Sequence, residues 1–136
     1  MKMIQLLKLV RDGKDITIIA NGFAVGDAIR VSDDLKKDGI SVRVLDMFTI
    51  KPIDKEAIIK AAKETKAIIT VENHNIIGGL GSAVSEVLCE NCPCILKRLG
   101  AKDRFGEVGD LAYLKKTFGV SYDDIKEAVL EMKSSL

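Results

Sequence analysis

The sequence predicts an α/β domain built on a largely parallel sheet with helices on both faces. Three observations predict it. Short β-branched or apolar runs recur at Ile16–Ala20, Ser41–Leu45, Ala67–Val71 and Cys94–Leu99. Between them lie stretches with apolar residues at helical spacing, closed by stop signals such as Lys36-Lys37-Asp38-Gly39. The resulting strand–helix alternation requires crossovers, which put helices on both sides of a parallel sheet. A chain of 136 residues, nearly half of them apolar, suits one domain with one sizeable core. No internal repeat, low-complexity tract or linker divides it.

The elements follow in order. Met3–Val10 is a short apolar-rich run, and Arg11-Asp12-Gly13-Lys14-Asp15 is a turn cluster with Gly13 placed for positive φ. With Ile16–Ala20 behind it, this predicts an opening antiparallel hairpin, which adds one antiparallel strand at an edge of the sheet or beside the second strand. Ala24, Ala28, Val31 and Leu35 mark the first helix. After the strand at Ser41–Leu45, Asp46 to Ile53 reads as a loop, since Pro52 cannot sit in a central strand. Asp54 is an N-cap candidate for a helix burying Ile58, Ile59, Ala61 and Ala62. The strand Ala67–Val71 leads through a polar turn and a glycine loop into a helix from Leu80 to about Glu90. After Cys94–Leu99 comes a charged loop from Gly100 to Gly109. Asp110 caps a short helix carrying Leu111 and Leu114, closed by Gly119. Ser121 and Asp124 form a capping-box pattern before a last helix with Ile125, Ala128, Val129 and Met132, and Ser134-Ser135-Leu136 is expected to fray.

Bulk properties narrow the function. Net charge is +1, which argues against a nucleic-acid scaffold. No apolar run approaches the roughly 18 residues of a membrane span, and no secretory leader is legible, so a cytoplasmic, non-membrane protein is expected. The three cysteines, Cys89, Cys92 and Cys94, are too few and too clustered for a disulfide framework. A zinc site would need a fourth ligand, and His74 is the single histidine, so reduced thiols are favoured over a metal site.

The chemistry-bearing stretch is Val71-Glu72-Asn73-His74-Asn75-Ile76-Ile77-Gly78-Gly79-Leu80-Gly81-Ser82. It lies where a strand ends and a helix begins, the edge at which open α/β sheets meet ligands. Gly78, Gly79 and Gly81 with Ser82 open the helix, and glycines there let backbone N–H groups approach an anion. The pattern is neither a Walker loop nor the dinucleotide fingerprint. The competing reading is that these glycines let the helix pack closely on the sheet. Glu72 and His74, two apart on a strand, face one side if the strand continues, and a carboxylate beside an imidazole can move protons. A hydrogen-bonding His74 without catalysis is the alternative. Asp46, Thr49 and Lys51 share the carboxyl edge, and Phe105 anchors the charged loop. No complete catalytic set results.

Three segments in this order, Asp46-Met47-Phe48-Thr49-Ile50-Lys51-Pro52-Ile53-Asp54, the stretch Val71–Ser82, and Lys102-Asp103-Arg104-Phe105-Gly106-Glu107, resemble the C-terminal domain of transketolase, nearest to the C-terminal subunit of split bacterial and archaeal transketolases. The likeness runs from about Ile4 to Leu130. It implies a three-layer α/β/α sandwich around a five-stranded mixed sheet with one antiparallel strand. It also implies membership of a thiamine-diphosphate and magnesium enzyme that moves two-carbon ketol units between sugar phosphates. The diphosphate-binding and pyrimidine-binding domains of that enzyme are separate from this one. The resemblance therefore implies no catalytic residue and no cofactor held by this domain alone. Its partners would be those two domains or subunits, within a homodimer. Val108 departs from the small residue usual before Gly109.

The role implied is assembly, with a regulatory ligand site sought at Glu72, His74, Gly78, Gly79, Gly81 and Ser82. Two alternatives stand beside it. One is a stand-alone anion or small-molecule-binding regulatory module at those residues. The other is the equivalent domain of a 2-oxoacid dehydrogenase beta subunit or of 1-deoxyxylulose-5-phosphate synthase.

Overall fold

The computed structural model describes residues 6–50, 52–75, 78–101 and 110–136, with the backbone alone at 73–75 and 101. Five strands are β1 (Leu7–Arg11), β2 (Ile16–Ala20), β3 (Val42–Met47), β4 (Ala67–Asn75) and β5 (Ile95–Ala101). The helices are α1 (Ala24–Lys36), α2 (Lys55–Glu64), α3 (Leu80–Asn91), α4 (Leu111–Thr117) and α5 (Tyr122–Ser134). The strands form one sheet in the order β1-β3-β2-β4-β5. All neighbours are parallel except β1, which runs antiparallel to β3 at one edge.

Period-two alternation divides the core into two layers. Ile16, Ile18, Val42, Val44, Ala67, Ile69 and Val71 face α1 and α5, where they meet Ala28, Val31, Leu35, Ile125 and Val129. Ile19, Leu45, Met47 and Ile68 face α2 and α3, where they meet Ile58, Ala61, Leu80, Val84 and Leu88. This is the three-layer α/β/α sandwich with a five-stranded mixed sheet that the sequence implied.

The opening hairpin does not form. β1 pairs with β3 (Leu7 opposite Met47), and β3 separates it from β2. The reason lies in burial. Every residue of β2 is buried, so β2 takes the sheet centre between two parallel neighbours, whereas β1 is half-exposed and takes the edge. The turn between them bonds to β3's approach instead of closing a hairpin. Asp15 N–H donates to the Ser41 carbonyl at 2.9 Å, and Ser41 N–H returns a bond to Asp15 Oδ2 at 2.8 Å. Gly13 is needed here for close approach and not for positive φ: a Cβ on it would stand 2.4 Å from the Val42 carbonyl carbon.

Several boundaries also move. β3 runs on through Asp46 and Met47, β4 through the polar residues to Asn75, and β5 through Gly100. All three overruns occur at the carboxyl edge, where backbone pairing continues after the apolar run has ended. The caps stand as read. Asp54 Oδ1 accepts from Ala57 N–H at 3.1 Å, Asp110 Oδ1 accepts from Tyr113 N–H at 2.9 Å, and Ser121 with Asp124 closes a reciprocal capping box. Gly39 and Gly119 end α1 and α4 at φ +77 and +72. Among the described residues, no helix is long and apolar enough to cross a membrane.

Candidate functional site

The junction from β4 to α3 assembles around Glu72. Alternation along β4 puts Ile68, Thr70 and Glu72 on the α2/α3 side, and Glu72 is fully buried there. Its two carboxylate oxygens accept one bond each: Oε1 from Leu80 N–H at 2.8 Å, Oε2 from Gly81 N–H at 2.7 Å. Those N–H groups belong to the first turn of a helix, which has no acceptor of its own for them. The N-cap residue, Gly79, supplies no side-chain acceptor, so Glu72 caps α3 from the sheet beneath. The positive end of the helix dipole and two backbone donors keep this buried carboxylate satisfied.

The glycines follow from that arrangement. A Cβ on Gly81 would lie 2.8 Å from Arg98 Cδ and 3.1 Å from Thr70 Oγ1, so its bare backbone lets α3 settle against β4 and β5. Gly78 takes φ +79, a left-handed turn, and its N–H donates to Ser82 Oγ at 2.9 Å. Glu72, Gly78, Gly79, Gly81 and Ser82 are therefore brought together. The backbone of His74 lies in β4; its side chain is outside the described residues, as are Lys51 and the segment Lys102–Glu107 with Phe105. Of the backbone donors at this helix start, those of Leu80 and Gly81 are engaged by Glu72 and that of Gly78 by Ser82.

At the neighbouring strand end, Asp46 sits opposite Lys8. Burial pushes the Asp46 carboxyl up, and Lys8 acts against that rise. Thr49 is used within its own loop, its hydroxyl donating to the Pro52 carbonyl at 2.6 Å. The thiols of Cys89, Cys92 and Cys94 are free, with Cys89 exposed. Burial, reinforced by Cys92, pushes the Cys94 thiol up, away from thiolate chemistry. Among the described residues, no group of three or more His, Cys, Asp or Glu side chains is placed to hold a metal ion.

Two polar networks are invisible to motif reading. Asp27, with its side chain 10% exposed, receives Lys115 Nζ at 2.7 Å and Arg30 at 3.3 Å, and so ties α4 to the start of α1. Lys115 also lies over the Phe23 ring, and Arg30 over that of Tyr122. The Tyr122 hydroxyl donates to Asp34. The available signal was Asp27 itself, a carboxylate beside the apolar stripe of Ala24, Ala28 and Val31, where an unpaired charge is costly. The second network centres on buried Arg43, which donates from Nε to Asp12 at 3.0 Å and from Nη2 to Glu64 at 2.7 Å.

Comparison with known proteins places this geometry. The family model described as "Transketolase, C-terminal domain" matches residues 6–125, which take in every strand and most of the helical layer. The chain belongs to the transketolase C-terminal domain family. It is 46% identical over 124 residues to the 6-deoxy-6-sulfo-D-fructose transketolase subunit SqwH of Clostridium sp. (strain MSTE9), covering 91% of this chain and 38% of that protein. It is 45% identical over 125 residues to a putative transketolase C-terminal section of Methanocaldococcus jannaschii, covering 91% of this chain and 39% of the other. Among solved structures, a split gene transketolase described as an inactive beta4 tetramer superposes with a TM-score of 0.88 at 38% identity, covering 94% of this chain and 42% of that one. The chain thus spans about two-fifths of the length of these relatives.

Proposed function

We propose that this chain serves as the C-terminal domain of a thiamine-diphosphate-dependent transketolase. In this reading it takes part in two-carbon ketol transfer between sugar phosphates without carrying the chemistry. The supporting observation is the Glu72 clamp within a transketolase C-terminal fold. The α3 start, the position where a diphosphate would be sought, is filled by the chain's own carboxylate, a charge of the same sign. A carboxylate at that helix start supports the reading that thiamine diphosphate and magnesium belong on the pyrimidine-binding and diphosphate-binding parts of the enzyme. This domain packs against those parts and steadies their assembly, in a cytoplasmic homodimer of the whole enzyme. In this reading Glu72, Gly78, Gly79, Gly81 and Ser82 brace the start of α3.

A ketol-transfer assay with thiamine diphosphate, magnesium and a donor–acceptor sugar phosphate pair tests the proposal. The chain is assayed alone and with the thiamine-binding parts of a split transketolase supplied in trans. The expected result is silence alone and turnover on complementation. Turnover by the chain alone would overturn the assignment of the chemistry to other parts.

A further inference from the structure

α4 is attached to the body differently from the other helices. α1, α2, α3 and α5 each bury part of one face, whereas α4 buries no residue. Anchoring begins just after it: Phe118 packs against the α1/α5 core, Val120 is buried, and Gly119 turns between them at φ +72. Among the described residues, the contact of α4 with α1 is polar. Lys115 Nζ reaches Asp27 Oδ2 at 2.7 Å, with the two side chains 18% and 10% exposed, and lies 5.4 Å from the centre of the Phe23 ring. Arg30 reaches the other oxygen of Asp27 at 3.3 Å from within α1, so it does not span the two helices. On α4 itself, Leu111 and Tyr113 are about half exposed.

We infer that α4 is a strap that swings open about Gly119 while the rest of the domain stays folded, and that the Asp27–Lys115 pair is its latch. Two physical arguments carry this. An element that buries little apolar surface opens without the core, because few contacts bind it to the cooperative unit. The pair that holds it closed is also nearly balanced: attraction at 2.7 Å is offset by the water both charges have given up, and opening returns that water to each. The latch therefore fixes where the strap closes at a small net cost of release. Opening bares the Phe23 ring and the Asp27 carboxylate at the start of α1, beside the carboxyl end of the central strand β2.

Native-state hydrogen exchange of the 136-residue chain in rising urea, below the unfolding transition, tests the inference. The reporters are the amides of Leu114 and Phe118, which donate to the carbonyls of Asp110 and Leu114, with Ala128 and Val129 in α5 as reference. After correction for intrinsic rates, exchange at the reporters is expected to be at least about tenfold faster than in α5 and nearly independent of urea, as a local opening that exposes little surface requires. A urea slope equal to that of α5 overturns the strap, because α4 would then open only with the whole domain. Lys115→Met leaves Asp27 beneath α4 without its partner and is expected to speed the reporters at least about tenfold further, with the slope still flat. Unchanged rates overturn the latch. Combining Asp27→Asn with Lys115→Met removes both charges, and exchange is expected to return toward the wild-type rate. A double variant whose acceleration equals the product of the two single effects makes the residues independent and also overturns the latch.

Discussion

The two faces of the sheet are held by different physics. Toward α1 and α5, alternate strand residues and two long helices close a continuous aliphatic layer, and charge is confined to its margin in the Asp27–Lys115 and Tyr122–Asp34 contacts. Toward α2 and α3, the apolar cluster is smaller and polar groups are built into it: Glu72 beneath the start of α3, Thr17 bonded to Thr65, and Arg43 between two carboxylates. The first face tolerates any aliphatic side chain of suitable volume. The second depends on individual donors and acceptors.

Removing one group from each face breaks the comparison most directly. Glu72→Ala is expected to cost about 3–5 kcal/mol, because two hydrogen bonds to a charged acceptor, each worth about 1.5–3 kcal/mol, are lost and two buried helix amides are left without partners. Urea unfolding measures it, and a loss below about 1 kcal/mol would mean that the clamp is incidental. Ile125→Ala, on the other face, removes a fully buried side chain from α5 and is expected to cost about 2–4 kcal/mol. The same unfolding curves check it, and a cost exceeding that of Glu72→Ala would reverse the ranking of polar over apolar dependence.

The smallest expected effect sharpens the margin of the first face. The Tyr122 hydroxyl donates to Asp34, which favours the neutral phenol and holds its pKa above the ordinary tyrosine value. A group raised in the folded state contributes stability that is fully present below its unfolded pKa, about 10 for tyrosine. That contribution is lost as pH rises through the folded value. Stability of the wild type is therefore expected to fall more steeply than that of Tyr122→Phe as pH rises from about 10 through the folded value. Parallel curves would remove the contact from the account.

Legibility in the sequence follows the same division. The apolar periodicities of Ala24, Ala28, Val31 and Leu35, and of Ile125, Ala128, Val129 and Met132, located helices because burial of a stripe is a local pattern. Asp54, Asp110 and Ser121 located caps because a cap bonds within a few residues of itself. Glu72 was singled out, but as a proton-moving partner of His74 and a ligand-site residue, because its role as acceptor at α3 depends on the amides of Leu80 and Gly81 being folded over it. Lys115 gave no sign of its partner, since Asp27 lies far away along the chain. The misplaced hairpin has the same origin. An Asp-Gly turn between two apolar runs is a local signal, and the requirement that β2 occupy the centre is a property of the whole sheet. Membership of the transketolase family was legible only through three segments read jointly.

The pairing of β1 with β3 carries a consequence for the order of events during synthesis. The first strand leaves the ribosome before its partner exists, and it has nothing to pair with until Met47 has followed Leu7 out. In the interval, Leu7, Leu9 and Val10 travel as an unpaired apolar edge, the kind of segment that recruits stray strands. Lys8 and Arg11, interleaved with them, supply the like charge that keeps two nascent chains apart. β1 therefore precedes in translation the strand that holds it, and its lysine and arginine lie within the stretch that waits for β3.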